Sequence, residues 1–280
     1  MIFNKDQYTY LDNSKLELLR KENFHEYFKT HVFKGKIFII KQNEFILKII
    51  EIVKEIFNIQ FSKEEILFLF RNKNSIIDLS NLRKRFIECQ RLVKKNNKIK
   101  IEFKNFLKFL NFDVSKTKSD LVCVRYVKSN NFSVGNLNYI KGHRDTWASN
   151  LQEQINWWFP LNKTDASNTI YLCPNFFLKP LRNNSKDWSF KDFKKKKIDS
   201  STPIVNDEID KKFKKTFLLK PGDILCFSGT HIHGSNQGNS SRLNLETRTI
   251  TLDDEYNFKL PKNLDGEYPM KHREWFKSLL

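Results

Sequence analysis

Two histidines and one aspartate have the types and the spacing expected of a metal site. His143 and Asp145 are separated by a single residue, and two candidates for the second histidine, His231 and His233, follow much later in the chain. Side chains two residues apart on a strand point the same way, so His143 and Asp145 can share a face. Two imidazoles and one carboxylate on one side of an ion suit a non-haem Fe(II) that activates oxygen. Tetrahedral zinc with a bound water could use the same three ligands.

A run of polar residues follows on one predicted strand. Arg242, Asn244, Glu246 and Arg248 alternate with other residues and therefore share a face. A guanidinium group can bind a carboxylate through two parallel hydrogen bonds, which is what a dicarboxylate co-substrate needs. Two buried arginines are costly unless anions pair with them. Because zinc hydrolysis has no obvious use for such an anchor, this strand favours iron.

The order of these motifs resembles a known enzyme superfamily. Residues 142–147 read Gly-His-Arg-Asp-Thr-Trp, residues 221–223 read Pro-Gly-Asp, and residues 233–236 read His-Gly-Ser-Asn ahead of Arg242. With the block Gln-Ile-Asn-Trp-Trp-Phe-Pro-Leu at residues 154–161, they resemble the Fe(II)/2-oxoglutarate-dependent dioxygenase superfamily. The phytanoyl-CoA dioxygenase-like branch is the most similar.

The resemblance covers residues 120–252 and implies roles for single residues. The distal metal ligand of the superfamily stands immediately before Gly-Ser or Gly-Ala, which selects His233 beside His143 and Asp145 as ligands. His231, on the same side of a strand by parity, is then a pocket or packing residue. The anchoring arginine of the superfamily follows soon after the distal histidine, which selects Arg242 for the far carboxylate of 2-oxoglutarate.

Further residues are predicted around this centre. Arg248 would hold the other end of the co-substrate or an anionic group of the substrate, and Asn244 and Asn156 are expected to help bind the co-substrate. Alternation along residues 152–161 places Gln154, Asn156 and Trp158 on one face, either inward or as a polar outer face. The residues predicted to contact substrate are Gln154, Arg125, Trp147, Trp158, His231 and Glu246.

The resemblance also implies the reaction. Such an enzyme uses Fe(II), 2-oxoglutarate and O2, hydroxylates or desaturates a small substrate, and releases succinate and CO2. Asp145 fills the position that related halogenases vacate with Ala or Gly, so we expect hydroxylation or desaturation. The polar candidate residues indicate a polar or anionic metabolite as the substrate. They do not name it, and the sequence does not fix the oligomeric state.

Two other functions fit parts of the sequence. The Arg-x-Asn-x-Glu-x-Arg run at residues 242–248 is similar to the Arg-x-Asn-x-Thr-x-Arg run of oxidative nucleic-acid demethylases. The 50 Lys and Arg against 32 Asp and Glu give a net charge of +18, which would suit a phosphate backbone. Lysines are spread through a chain also rich in Asn, Ile and Phe, so an AT-rich genome explains the charge better. The other hypothesis is a non-catalytic jelly-roll binding protein.

Composition also gives expectations about the environment of the protein. The four cysteines, Cys89, Cys123, Cys173 and Cys226, are far apart in apolar sequence and are predicted to be reduced core thiols. The N-terminus lacks a signal-peptide pattern, and no apolar run approaches the ~18 residues of a membrane span. We therefore expect a cytoplasmic protein without a membrane span.

The expected fold is mainly β, a double-stranded β-helix (a jelly-roll) buttressed by N-terminal helices. We treat residues 1–280 as one domain. Its parts are an N-terminal strand and helical layer over 1–118, a jelly-roll core over 119–252 and a C-terminal extension over 253–280. The polar, lysine-rich stretch 182–215 is predicted to be an insertion that forms a lid over the barrel mouth, or a solvated loop.

Local patterns predict the first elements. Residues 37–40 form an apolar, β-type run, and apolar residues recur with a period of about 3.6 from Asn43 onward. Ser62 and Glu65 have capping-box spacing at the start of a second helix. A third helix is expected near residues 79–94 and a fourth after it.

Overall fold

We describe the fold from a computed structural model, over residues 5–71, 79–127, 140–198, 200–236, 238 and 240–279. The helices are α1 (Asn13–Lys21), α2 (Phe24–Val32), α3 (Glu44–Gln60), α4 (Lys63–Arg71), α5 (Leu79–Lys95), α6 (Asn97–Phe109), α7 (Thr146–Ser149), α8 (Phe190–Lys194) and α9 (Asp254–Asn257). The strands are β1 (Tyr8–Leu11), β2 (Ile37–Ile40), β3 (Thr117–Ser119), β4 (Cys123–Val127), β5 (Ile155–Pro160), β6 (Ile170–Leu172), β7 (Lys215–Thr216), β8 (Ile224–Ser228), β9 (His233–Ser235), β10 (Arg242–Thr251) and β11 (Lys277–Ser278).

The strands of the described residues form two sheets. The larger has eight strands in the order β1-β2-β8-β5-β10-β3-β11, with β4 also paired to β10. The smaller has the order β7-β6-β9. Apart from the parallel pair β1 and β2, every pair is antiparallel. β10 is the longest strand and pairs with β5 along one edge and with β3 and β4 along the other, so it is the scaffold of the site.

Helices cover one face of the larger sheet. Asn43 caps the N-terminus of α3, because its side chain accepts hydrogen bonds from the backbone N–H groups of Phe45 and Ile46. Its apolar stripe is buried in a core shared with α2, α5, α6 and the sheet. Trp157 of β5 lies at the centre of this core, with ring centroids 5.5 Å from Phe28 and 5.6 Å from Phe106. Burial of this apolar area is the main stabilising term of the layer.

Most local predictions are confirmed. The strand at 37–40 forms and is buried on both faces, and the helices predicted after Asn43, after Ser62 and near residues 79–94 are present. The capping box is complete, because the Ser62 N–H donates to Glu65 Oε2 at 2.8 Å and the Glu65 N–H to Ser62 Oγ at 3.3 Å. All four cysteines are free thiols, and only Cys123 is not fully buried.

One fold expectation changes. The helices contain more residues than the short strands, so the architecture is mixed rather than mainly β. The C-terminal extension ends in a single 3-10 turn, Arg273–Trp275, followed by β11 at the edge of the larger sheet. A double-stranded β-helix connectivity stays a prediction. Among the described helices, none has the length and the apolar character to cross a membrane.

Candidate metal centre

A backbone bridge, the start of α7 and the smaller sheet bring the three predicted ligands together. His143 lies in an isolated bridge, Asp145 directly precedes α7, and His233 begins β9. His143 Nε2 is 3.5 Å from Asp145 Oδ1, and His233 Nε2 is 4.0 Å from Asp145 Oδ2. The three ligand atoms lie within 4.8 Å of one another, and all three side chains are largely buried. Such a cluster can hold one metal ion.

Backbone hydrogen bonds fix the two histidines opposite each other. The His143 N–H donates to the His233 carbonyl at 2.9 Å, and the His233 N–H donates to the His143 carbonyl at 3.0 Å. This reciprocal pair is one antiparallel bridge between residues far apart in sequence. The imidazole centroids are 4.2 Å apart as a result.

The tautomers of both rings suit metal binding. His143 Nδ1 is 2.8 Å from the Lys141 carbonyl oxygen, and His233 Nδ1 is 3.0 Å from the His231 carbonyl oxygen. Because a carbonyl can only accept, each Nδ1 carries the hydrogen and each Nε2 offers its lone pair. Burial first, and then the neighbouring His143, lower the pKa of His233 to about 4. His233 is therefore a neutral ligand at neutral pH, as a metal requires.

Asp145 is held as an ionised, oriented carboxylate. Its Oδ2 accepts hydrogen bonds from Asn156 Nδ2 at 2.7 Å and from Arg248 Nε at 3.0 Å. Burial acts to raise the pKa of Asp145, but Arg248 and the two histidines hold it well below its usual range. With Oδ2 engaged by two donors, Oδ1 is the oxygen left free for an ion.

Arg242 is a buried cation whose side-chain partners are neutral. Its guanidinium donates to Asn244 Oδ1 at 2.9 Å, to the Asn168 carbonyl at 2.6 Å and to Ser235 Oγ at 3.1 Å. No carboxylate of the described residues forms a salt bridge with it, and burial lowers its pKa to about 9. A buried charge of this kind is costly until an anion joins it.

Two further hydrogen-bond donors lie close to Arg242. Asn244 Nδ2 and Trp158 Nε1 are buried and have no partner among the described residues. The Asn244 side chain already accepts from Arg242, and the Trp158 ring centroid is 5.4 Å from Arg242 Cζ. Of the two, Trp158 lines the same cavity as Arg242, and an unpaired donor beside an uncompensated cation is an environment that a carboxylate fits. The residues present therefore fit a dicarboxylate such as 2-oxoglutarate.

Arg248 differs from Arg242 in having its charge already balanced. It pairs with Asp145 and, through NH1, with Asp120 Oδ2 at 3.1 Å. These carboxylates raise the pKa of Arg248, against the opposing effect of burial. The observed pairs thus favour Arg242 as the anchor of an incoming carboxylate and give Arg248 the role of holding Asp145.

A cavity of about 530 Å³ opens at the centre. Its volume is within the range of sites for small molecules. From the predicted site it is lined by His143, Asp145, His233, Arg242, Arg248, Asn156, Gln154, Trp158, Arg125 and Glu246. The polar face of residues 152–161 points inward, since Gln154 Nε2 donates to Asn156 Oδ1 at 2.9 Å and Asn156 reaches Asp145. Asn244 does not line the cavity, and its Oδ1 accepts a hydrogen bond from Arg242.

Two residues predicted to contact substrate lie elsewhere. His231 is fully buried, with Nε2 3.1 Å from the Gly35 carbonyl oxygen and its ring against Phe177, so it packs rather than facing the cavity. Its backbone carbonyl instead orients His233. Trp147 is buried in an apolar cluster, and its Nε1 donates to Asp265 Oδ1 at 2.7 Å. Neither side chain borders the cavity, so both predictions are corrected.

The insertion at 182–215 contributes to the wall of the cavity. Phe190, Phe193, Lys194, Ser201 and Thr202 line it, together with Trp275 of the C-terminal extension. Trp188, by contrast, is buried, with its Nε1 donating to the Ser200 carbonyl at 3.1 Å. The Val205 N–H donates to the Gly142 carbonyl at 2.8 Å, which fastens the insertion beside His143. Movement as a lid stays a prediction.

Two residues that contribute to this region, Asp120 and Arg144, were not predicted from the sequence. Asp120 accepts hydrogen bonds from both the backbone and the side chain of Arg248, and burial raises its pKa to about 6. Arg144 points away from its neighbours His143 and Asp145, donating to Asp265 and to the carbonyls of residues 176, 177, 179 and 230. The sequence offered only weak signals for them: Asp120 is an isolated acidic residue before a strand, and Arg144 lies between two predicted ligands.

No protein-family model matches the chain, and no curated protein does. Among solved structures, the chain is similar to EvdO2 from Micromonospora carbonacea var. aurantiaca complexed with 2-oxoglutarate, at 12% identity and a TM-score of 0.49, over 91% of this chain and 95% of that one. It is also similar to the epimerase SnoN in complex with Fe3+, alpha ketoglutarate and nogalamycin RO, at 12% identity and a TM-score of 0.44, over 84% of each chain. The non-heme monooxygenase ThoJ is similar at 14% identity and a TM-score of 0.44, over 81% of this chain and 77% of that one.

Such distant similarities leave the functional argument to the residues of the site. In its sequence motifs the chain resembles the Fe(II)/2-oxoglutarate-dependent oxygenase superfamily, whereas the phytanoyl-CoA dioxygenase-like branch stays a prediction.

Proposed function

We propose that the protein is an Fe(II)- and 2-oxoglutarate-dependent oxygenase that hydroxylates or desaturates a small polar molecule. The observation that carries the proposal is the pairing of a His-Asp-His cluster with a buried, uncompensated arginine in one cavity. Zinc hydrolysis would use the cluster but has no use for Arg242. Metal binding and a carboxylate anchor are both needed for an oxidation driven by 2-oxoglutarate.

The residues of the chain have separate tasks in this reaction. His143, Asp145 and His233 would hold the iron, which when bound supplies oxygen activation while 2-oxoglutarate supplies two electrons and becomes succinate and CO2. Asn156 and Arg248 keep Oδ2 of Asp145 occupied, which orients the carboxylate. Arg242 would bind the far carboxylate of the co-substrate, aided by the unpaired donor of Trp158 on the cavity wall. Asn244 would act through Arg242, whose Nε donates to its Oδ1.

The cavity walls would separate the reaction from bulk water. Phe190, Phe193 and Trp275 supply apolar surface at the side formed by the insertion and the C-terminal extension. Excluding water strengthens the charged hydrogen bonds inside and limits side reactions. Gln154 lies next to Asn156 and offers a buried, unpaired Oε1, so it is available to a hydrogen-bond donor of the substrate.

The proposal is tested by binding before turnover. We expect anaerobic calorimetry to give one Fe(II) per chain, and 2-oxoglutarate to bind the loaded protein and not an Asp145→Ala variant. Aerobic incubation should then convert 2-oxoglutarate to succinate, measured by NMR. Iron binding without 2-oxoglutarate binding would contradict the proposal. The hypothesis of a zinc-type hydrolase would then be favoured.

Oxidative demethylation of nucleic acid remains the second candidate, on the Arg-x-Asn-x-Glu-x-Arg run and the net charge of +18. In the structure Glu246 of this run pairs with Arg125, and Arg248 pairs with two aspartates. A steep fall in DNA affinity with added salt would favour this candidate, because phosphate contacts release counterions.

A further inference from the structure

An ion pair on the cavity wall presents unused hydrogen-bonding groups. Arg125 of β4 and Glu246 of β10 both line the cavity, with about a quarter of each side chain exposed. Arg125 Nε and NH2 both donate to the same oxygen, Glu246 Oε1, at 2.9 and 2.7 Å. Among the described residues, Arg125 NH1 and Glu246 Oε2 have no hydrogen-bond partner. The pair therefore keeps one donor and one acceptor unused.

The strand register keeps this pair in place. Arg125 lies opposite Asn244, and Glu246 lies opposite Cys123, so the two charged residues are diagonal neighbours across antiparallel strands. Burial acts to raise the pKa of Glu246, but Arg125 and Arg248 hold it below its ordinary value. Both members are charged at neutral pH, and the pair as a whole is neutral.

The charges around the cavity cancel once the site is loaded. Under the proposed function, a divalent iron and Arg242 balance Asp145 and the two carboxylates of 2-oxoglutarate. Arg248 balances Asp120, and Arg125 balances Glu246. A substrate group with a net charge would then be buried without a counter-charge, which is costly. A group that is dipolar but neutral overall would not be.

The rest of the wall indicates what is attached to that group. Phe190, Phe193 and Trp275 line the cavity, and the rings of Phe190 and Trp275 are 4.7 Å apart. These rings can pack against an apolar or aromatic body of the substrate. Lys94 and Lys194 also border the cavity; Lys194 is exposed and Lys94 half-buried, so water can solvate both.

We propose that the Arg125–Glu246 pair is the substrate-recognition site, and that it binds a neutral dipolar head group whose apolar body packs against Phe190 and Trp275. The head group accepts a hydrogen bond from Arg125 NH1 and donates one to Glu246 Oε2. An amino-acid zwitterion and a primary carboxamide share this chemistry. The inference deepens the proposed function and rests on it for the charge balance.

Four probes with one phenyl body test the head group. Phenylalanine carries the zwitterion and 3-phenylpropanamide the carboxamide, whereas 3-phenylpropanoate has only the carboxylate and 2-phenylethylamine only the ammonium. Affinities are measured by anaerobic calorimetry on protein loaded with Fe(II) and 2-oxoglutarate. We expect at least one dipolar probe to bind about tenfold or more tightly than both singly charged probes, the scale of one charged hydrogen bond. Which dipolar probe binds better distinguishes the two sources of the chemistry.

Two variants should change the preference rather than abolish binding. Glu246→Gln leaves Arg125 unpaired, so 3-phenylpropanoate should gain affinity over the wild type. Arg125→Gln leaves Glu246 unpaired, so 2-phenylethylamine should gain instead. A gain of affinity for opposite probes cannot come from partial unfolding, which makes each variant the control for the other.

Several outcomes overturn the inference. They are the failure of both dipolar probes to bind, equal affinity for all four, tightest binding of 3-phenylpropanoate to the wild type, and variants that lose affinity for every probe. Repeating the titrations without iron and 2-oxoglutarate separates the two proposals. If the head-group preference persists while 2-oxoglutarate never binds, the recognition site stands and the oxygenase function fails.

Discussion

Both faces of β10 are largely buried, but one packs apolar side chains and the other carries charged and polar side chains. On the helical side, Leu243 and Leu245 are fully buried in the apolar core. On the cavity side, Arg242 and Arg248 alternate with them among polar groups: Arg242 is hydrogen-bonded to neutral groups, and Arg248 is ion-paired with Asp145. Burial alone therefore does not mark a residue of the apolar core. What distinguishes the cavity face is polar groups left without partners, which cost stability unless ligands satisfy them.

The largest difference in iron binding is expected between substitutions of His231 and His233, which are two residues apart. His233→Ala should abolish stoichiometric Fe(II) binding, because two protein ligands rarely hold the ion, and should change the apo-protein's stability little. His231→Ala should retain iron but lower the free energy of unfolding, since a packed ring is lost. Calorimetry with Fe(II) and chemical denaturation measure the two effects. Equal loss of iron in both variants would contradict the ligand assignment.

The helical face should respond in stability and not in binding. Leu245→Ala removes a fully buried side chain and should lower the free energy of unfolding by about 2–5 kcal/mol. The affinity of the folded protein for Fe(II) and 2-oxoglutarate should not change, although Glu246 is the next residue. Denaturation in urea and anaerobic titration of the same preparation check this. A large fall in affinity would mean that the two faces are coupled.

The cavity face should show the reverse pattern at Arg242. Arg242→Lys replaces a planar fork by a single point charge and should weaken 2-oxoglutarate binding by about 1.5–3 kcal/mol. Arg248→Lys is the matched control, whose main effect should fall on Asp145 and therefore on iron. Titration of 2-oxoglutarate into both iron-loaded variants decides between them. If only Arg248→Lys lost affinity for 2-oxoglutarate, the two roles would be exchanged.

The insertion should be the most responsive part of the cavity wall. Residues 191–197 hold five lysines, and all but two of the seven residues are exposed, so trypsin should cut there first. If the insertion acts as a lid, loading with Fe(II), 2-oxoglutarate and a bound substrate should slow this cleavage several-fold. Mass spectrometry of timed digests locates the cut. An unchanged rate would make the segment a solvated loop.

The smallest effect concerns a histidine in the helical layer. His25 contacts Phe112 at a centroid distance of 4.8 Å, and burial, with Lys29, lowers its pKa from 6.5 to about 4. Between pH 6.5 and about pH 4 the unfolded chain binds a proton that the folded protein does not, so the free energy of unfolding decreases as the pH falls through this range. Denaturation of the metal-free protein at pH 7 and pH 5 should show a smaller loss in His25→Phe. An equal loss would assign the pH dependence to other groups.

Local sequence signals predicted what depends on neighbours in sequence. Asn43, Ser62 and Glu65 mark helix starts because caps act within one turn. The spacing of His143 and Asp145 predicted two of the ligands, whereas the resemblance to the superfamily motif selected His233 over His231. The choice between Arg242 and Arg248 could not be made locally, because both share a face of β10. Asp120 supplies the difference, and it reaches Arg248 only when the strands pair.

The prediction for His231 failed for a physical reason. Its parity with His233 holds only within a strand, but β9 begins at His233 and the His231 N–H bonds back to the Ser228 carbonyl in a turn. Trp147 failed similarly, since α7 follows Asp145 and turns the tryptophan toward Asp265. Both residues depend on where a strand ends, which alternation does not reveal.

The reciprocal backbone bridge between His143 and His233 also sets when the metal can arrive during folding. It closes a long segment of chain, so it carries a large loop-closure entropy and belongs among the late, non-local contacts. We therefore expect iron to stabilise this bridge after it has closed rather than to nucleate the fold. Once bound, it opposes local opening by mass action. Hydrogen exchange at the amides of these two histidines would then follow metal occupancy, and release of the ion would require this bridge, rather than the whole domain, to open.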